Sequence, residues 1–297
     1  GDNVTWYNGS ALTGGPVLGD ATIAGTITPI STYTQACSID QARKSTSDNG
    51  RLSAQRMPQN FRTTARRLLA QWANVFLDET CNISLAGEST FNNRYTCYTS
   101  GGFSTIMNTS INSTNSGNII YAGTATSNAT ASQPANQFSA QLITKAVVLA
   151  TQGPTTANFI PVKKLKFRNS RSEFALVADQ NIELQLQYDD DWRTATASGT
   201  PRADSNRAIT GSLGSFGKVE IITQSRAFRP IANVSYAWLL GADALNFVPV
   251  HEWQWVEETV DAGFKNVIIV ASMFGITPTY FNAAKRNVRM IPHYVAN

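Results

Sequence analysis

Three groups of side chains in this sequence have the types and spacing to do chemistry. Glu257, Glu258 and Asp261 lie close enough to act as paired carboxylates, one giving and one taking a proton, as in glycoside hydrolysis. Asp189, Asp190 and Asp191 are hard oxygen donors of the kind that hold Ca²⁺ or Mg²⁺. His251 and His293, the only two histidines, could shuttle protons near neutrality. Each group also has a simpler reading. Consecutive aspartates on a helix point in different directions, which suits a solvated helix end. The Glu257 group adjoins a turn signalled by Asp261-Ala262-Gly263, where surface ion pairing is the plainer role. Neither histidine has a cysteine or carboxylate at metal-ligand spacing. "GSLGSFG" (211–217) resembles a phosphate cradle, but it precedes a strand, so no helix N-terminus would face the anion. Trp253, Trp255, Phe264 and Phe274 read as core rather than as a stacking platform. There is no nucleophile elbow, P-loop or H-E-x-x-H. The expectation is a chain that is not an enzyme, with no catalytic residue, metal or cofactor.

One charged feature stands out against this background. In "RLSAQRMPQNFRTTARRLLAQW" (51–72), Arg51, Arg56, Arg62, Arg66 and Arg67 crowd the start of a helix, and no acid occurs from Asn49 to Leu77. A helix N-terminus carries partial positive charge and favours acids there, each by about 0.3–1 kcal/mol. This helix is therefore charged against its own dipole and requires a negative partner.

The elements that would position these residues form a mixed α+β chain without a regular βαβ repeat. Residues 1–36 are rich in Gly and Thr, with turn chemistry at Gly14-Gly15-Pro16 and Gly19-Asp20. They read as extended strands of a projecting hairpin with little core of its own. In 59–80, Phe61, Ala65, Leu68, Leu69, Trp72, Val75 and Phe76 recur at helical spacing, giving an amphipathic helix ~30 Å long. Residues 88–137 are poor in charge and read as a long irregular loop region, of the sort used as a contact surface. A second helix is expected over 138–152 and a buried strand over 173–179. A helix capped by Asn181 is expected over 181–192, then strands near 218–223 and 236–240. A strand–turn–strand unit over 251–281 and a closing strand over 288–295 complete the chain.

Bulk properties narrow the function classes. The chain has 297 residues, enough for one large domain or two ordinary ones. Charged residues are 15%, well below the usual quarter, so the surface is largely neutral and suits contact with other subunits. A net charge of +4 is mild for a dedicated nucleic-acid binder. The three cysteines, Cys37, Cys81 and Cys97, are an odd count and read as buried free thiols, with a Cys81–Cys97 bridge left open. No run of about eighteen apolar residues would span a membrane.

Several stretches, taken in order, resemble a known family. "IDQARKSTSDNGRLSAQR" (39–56) is similar to the Ile-Asp-Gln…Arg…Gly-(Arg/Lys)-(Met/Leu)-Ser-x-(Gln/Lys)-Arg signature of a podovirus-type, tailed-phage major capsid family. "FRTTARRLLAQWANVFLDETCNISLAG" (61–87) resembles that family's Leu-Arg…Trp…Leu-Asp…Leu-Ala-Gly helix. "FALVADQNIELQLQYDDDW", "ITGSLGSFGKVEIITQSRAF", "AWLLGADALNFV" and "WQWVEETVDAGFKNVIIVASMFGITPTYFN" follow in the same order. The chain departs from the pattern at "ITPISTYTQAC" (27–37), where the family carries acidic and aromatic residues. It also begins at Gly1 rather than Met, which reads as an N-terminal arm removed or lying outside the sequence.

The resemblance implies the Hong Kong 97-like capsid fold. Residues 1–50 would be the extended loop lying over a neighbouring subunit, and 51–137 the spine helix and first part of the peripheral domain with its polar loop. Residues 138–248 would form the axial domain, and 249–297 the returning strands of the peripheral domain. It implies a subunit of an icosahedral head around double-stranded DNA. Its partners would be copies of itself in pentamers and hexamers, with room for scaffolding, portal and decoration proteins. The location would be the virion, assembled in the bacterial host cytoplasm. The five arginines would then meet acids of adjacent subunits, Glu257, Glu258 and Asp261 among them, or face DNA. An encapsulin-type compartment shell and, more remotely, a carbohydrate-binding or -degrading protein are the alternatives.

Overall fold

The computed structural model describes residues 3–9, 15–20, 22–23, 27, 29–30, 32–48, 50, 60–86, 119–126, 128–152, 162–166, 172–199, 214–224, 233–281, 285–286 and 288–294. Two sheets organise the chain. Strands β3 (Asp40–Ser47), β8 (Leu245–Val260) and β9 (Lys265–Pro278) form an antiparallel sheet in the order β3-β9-β8. A five-stranded sheet runs β12-β7-β4-β6-β5. Its members are β4 (Phe174–Ala178), β5 (Ser215–Phe216), β6 (Val219–Thr223), β7 (Val234–Leu240) and β12 (Val288–Tyr294). Among the described residues only β4 and β6 pair parallel. A separate hairpin joins β1 (Asn3–Gly9) to β2 (Thr32–Ser38), and β10 (Tyr280–Phe281) pairs with β11 (Lys285–Arg286).

Helix α1 (Phe61–Ala86) is 26 residues long and joins the two sheets. Asn60 opens it, its side-chain oxygen accepting from the Arg62 N–H at 3.0 Å. Ala65, Leu69, Ala73, Phe76 and Ile83 make its buried stripe. Ala65 and Leu69 pack on Ile268 and Val270 of β9. Further along, Phe76 and Ile83 join Phe274, Ile276, Tyr236 and Trp238 in a larger cluster. The helix runs past its expected end because polar residues are tolerated inside: the Thr80 hydroxyl donates back to the Phe76 carbonyl at 2.6 Å. Leu68, expected on the core stripe, is 53% exposed, since it falls on the flank of the helix away from β9.

The five-stranded sheet is covered on one face by α3 (Ala140–Thr151) and α4 (Gln180–Tyr188). A short turn of helix, α2 (Asn128–Ala131), precedes α3. The Ser139 hydroxyl caps α3 by accepting from the Leu142 N–H. The helix expected over 181–192 is two helices: α4 ends at Tyr188, and α5 (Asp190–Gly199) begins after Asp189, which is extended at ψ 120°. Asn181 is not the cap of α4. Asp179 holds that position, and the Asn181 amide donates to its carboxylate at 2.5 Å.

Two of the expected boundaries change. Residues 88–137 do not form one irregular loop: 88–118 lie outside the described residues, but Ile119, Ile120 and Ala122 are buried in the core, and Asn136 ties 124 to 130 through its side chain. Residues 249–297 do not return as one set of strands. β8 and β9 form the three-stranded sheet, whereas β12 pairs with β7 and closes the other. Likewise 40–47, expected in the extended loop, pairs with β9 as β3. Pro292 in β12 lacks a backbone donor, which suits the edge position the strand takes.

Candidate functional site

The three aspartates and His293 are occupied with structural work. The Asp189 carboxylate accepts from the Ala140 N–H at 2.6 Å and from the Asp191 N–H at 3.1 Å, so it serves the starts of α3 and α5. Asp191 accepts from the Gln141 amide, and Asp190 pairs with Arg193. Among the described residues no group of three His, Cys, Asp or Glu could hold a metal ion. His251 is exposed on β8. His293 is fully buried with its ring on edge to Phe138 at 5.3 Å, and burial pushes it down to about 4. The aromatic set divides. Phe274 and Trp253 join Trp72 and Phe76 in packed ring contacts, whereas Trp255 and Phe264 are 40% and 57% exposed, against the expectation of core.

Two of the five arginines find an acid inside the chain. Ile268 is buried under α1, and Glu257 is its cross-strand partner on β8, so the Glu257 side chain lies on the α1 face of the sheet. There its Oε1 accepts from Arg62 Nε at 2.8 Å and from Arg66 Nη2 at 2.6 Å. Arg62 first, and then Arg66, holds the Glu257 carboxyl below the ordinary carboxylate range. For Arg62 and Arg66, then, the acid expected from an adjacent subunit is supplied by the same chain. Arg67, one residue round the helix, is exposed and has no ion partner among the described residues. Glu258 opposes Val267 and therefore points to the other face of the sheet, while Asp261 pairs with Lys265 at 3.5 Å. Arg51 and Arg56 lie outside the described residues.

The other face of the three-stranded sheet is the feature that sequence reasoning missed. Val267, Ile269, Ala271 and Met273 line it and are only half-buried, with Val256 of β8 beside them at 47% exposure. On β3 the same face carries Gln41, Arg43, Ser45 and Ser47, all exposed. Burial becomes continuous only from Phe274 onward, where β2 crosses. A Cβ at Gly275 would fall on the Ser38 carbonyl oxygen and within 2.8 Å of Cys37 Sγ, so only glycine permits that crossing. Beyond it the Gln35 amide donates to Thr277 Oγ1 at 2.8 Å and to the Pro278 carbonyl at 2.5 Å. The signal was present in "NVIIVASMFGITP": a near-continuous apolar strand calls for cover on both faces.

The arm rooted at that crossing has the converse property. Tyr7, Leu18, Ile27 and Ile30 are between 72% and 78% exposed. Isolated apolar residues on a surface are ordinary, but four on one arm, together with a half-covered apolar sheet face, are surface of the kind that protein contacts cover. Two free thiols accompany this frame, Cys37 buried and Cys81 partly buried: burial raises Cys37, and burial and then Asp78 push Cys81 up to about 11, while Cys97, and with it a Cys81–Cys97 bridge, lies outside the described residues.

Comparison with known proteins accords with this geometry. The major capsid protein of Pseudomonas phage KPP25 is 25% identical over 301 aligned positions, which span 91% of this chain and 76% of that one. The capsid of Ralstonia phage GP4 superimposes with a TM-score of 0.79 at 24% identity, over 100% of this chain and 84% of that one. The capsid of cyanophage Pam1 gives 0.75 at 16% identity, over 99% and 85%. The family described as "Phage capsid protein" matches residues 1–289, and the chain belongs to that family.

Proposed function

We propose that this chain is a major capsid protein, the structural subunit that self-assembles into the icosahedral head of a tailed bacteriophage. The observation that carries the reading is the pair of unfinished surfaces in one chain: an arm with exposed aliphatics and a sheet with one apolar face half-covered. The arm crosses its own sheet at Gly275, and the exposure of Leu18, Ile27 and Ile30 beyond that crossing supports a contact with a second copy. Subunit contacts have apolar centres with polar rims, and the sheet face has that make-up, with Val256, Val267 and Ile269 beside the polar Gln41, Arg43 and Ser45 of β3.

In Hong Kong 97-like terms, β1–β2 and the residues between them are the extended loop over a neighbouring subunit. Helix α1 is the spine helix, and the β3-β9-β8 sheet with α1 is the peripheral domain. The five-stranded sheet with α3 and α4 is the axial domain, now including β12. Arg67, Glu258 and Arg43 are available for contacts between subunits in pentamers and hexamers. Packaged double-stranded DNA on the inner face, and scaffolding, portal and decoration proteins, are the further partners. The virion is the site of action, after assembly in the host cytoplasm. Electron microscopy of the purified chain tests the reading: closed icosahedral shells are expected, and discrete small particles at all concentrations and salts would overturn it.

A further inference from the structure

The pairing of the long β8–β9 hairpin is interrupted on the β8 side, while β3 pairs β9 without a break from Phe274 to Val267. From Val260↔Lys265 to Gln254↔Ala271 the strands pair in one register; between Gln254 and Pro249 the register shifts twice, and from Pro249↔Phe274 to Leu245↔Pro278 regular pairing continues in a different register. Two bulges this close interrupt the ladder and re-aim the strand. The packing divides at the same level. Inboard, Phe274 and Ile276 belong to the large cluster with Phe76 and Trp238. Outboard, the buried core is four residues, Ala65, Leu69, Ile268 and Val270. Trp72 and Trp253 lie at the boundary, in contact with both clusters and edge to face at 6.3 Å.

We propose that the outer end of this hairpin is a hinged tip, pivoting at the bulged stretch 249–254 and clasped to α1 by Glu257 between Arg62 and Arg66. The small outer core gives the tip a low local stability, and an exposed ion cluster is a clasp that salt or a neighbour's acid can open. With the clasp open, identical chains can meet at different angles; this last step rests on the shell reading, whereas the hinge itself does not.

Hydrogen–deuterium exchange on the full chain, kept below its assembly concentration, tests the hinge without reference to shells. Glu257→Gln is expected to speed exchange about three-fold at 255–260 and 265–270, the scale of losing an exposed ion cluster, while 274–278 and 234–240 keep their rates. Raising salt from about 50 to 500 mM should loosen the same amides in the unaltered chain, so the test does not depend on a variant folding. Equal acceleration on both sides of 249–254, or none in either experiment, overturns the proposal. Absence of shells with the tip-only response would instead count against the capsid reading and leave the hinge standing.

Discussion

In the five-stranded sheet, Phe174, Leu176 and Ala178 are fully buried beneath α3 and α4, and Trp238 on the opposite face is 1% exposed against the cluster around Phe76. In the three-stranded sheet, Ile268 and Val270 are buried beneath α1, but Val256 across the sheet is 47% exposed and its neighbours are half-buried. Both sheets are built from the same β-branched and aromatic residues. They differ in whether the chain itself supplies cover for the second face. The first region is complete as a monomer. The second presents half-covered strand surface that, on the proposed reading, another copy covers, so substitutions there should act on assembly rather than on folding.

The sharpest break of that contrast is a pair of substitutions. Leu176→Ala empties a fully buried site and should cost about 2–5 kcal/mol in urea unfolding. Ile27→Asp alters a residue that is 75% exposed on the arm and should leave the unfolding free energy within about 0.5 kcal/mol of the original. Yet the second, not the first, should remove closed shells from electron micrographs of protein prepared in cold buffer. If Ile27→Asp assembles normally, the arm is not the contact it is read to be.

Acid separates the regions next. His293 lies in the complete region, and burial, opposed by its contact with the Ile291 carbonyl at 3.3 Å, lowers it from 6.5 to about 4. Between those values the unfolded chain binds the proton and the folded chain does not. Stability is therefore unaffected above pH 6.5, falls as pH drops through the window, and has lost about 3 kcal/mol near pH 4. Glu173, held down by Lys164 and Lys218, and Glu257, held down by Arg62 and Arg66, have ordinary values of 4.5, and what they contribute is lost only below that. The upper half of the window thus reports on His293. Urea midpoints measured against pH should fall there for the original chain and stay level in His293→Leu; an unchanged slope in the variant would assign the acid response elsewhere.

Gly275→Ala probes the junction where the arm leaves the sheet. The added methyl meets a backbone oxygen and the buried Cys37 sulfur, neither of which can swing away, so β2 must lift. A loss of about 1–3 kcal/mol is expected, with faster exchange of the β2 amides. An arm that stays protected and a stability that stays put would show that β2 crosses more loosely than the backbone places it.

Much of this division was readable from sequence, and the remainder was hidden for identifiable reasons. The β8–β9 hairpin was legible because Asp261-Ala262-Gly263 breaks an alternating stretch from an apolar one, and all three residues do adopt positive φ in the turn. Helix α1 was legible from its period, though its end was not, since Thr80, Asn82 and Ser84 are polar and buried. That β12 joins β7 was hidden: residues distant in sequence choose partners by packing, and no local pattern records the choice. The arginine run announced the need for an acid. It did not say that the acid stands in the same chain, 195 residues from Arg62, because that depends on which strand lies under the helix.

The finest test lies at the outer end of the incomplete sheet. Asp48 follows β3 and is 7% exposed; its two carboxylate oxygens accept from the backbone N–H and the side-chain amide of Asn266 at 3.0 and 2.9 Å. The Asp48 N–H in turn donates to the Asn266 carbonyl at 3.1 Å. Asp48→Asn keeps the shape but turns one acceptor into a donor. With its oxygen on the Asn266 N–H, the new amide turns its NH2 to the Asn266 side chain, whose amide must turn over to accept it, and the loss of the carboxylate charge from both bonds should cost about 1 kcal/mol. The loss should appear as faster exchange at 45–48 and 265–267, with the five-stranded sheet unmoved. Should the five-stranded sheet loosen as well, the two regions would be one cooperative unit, and the incomplete sheet would be stabilised by its neighbour within the chain rather than awaiting one from another copy.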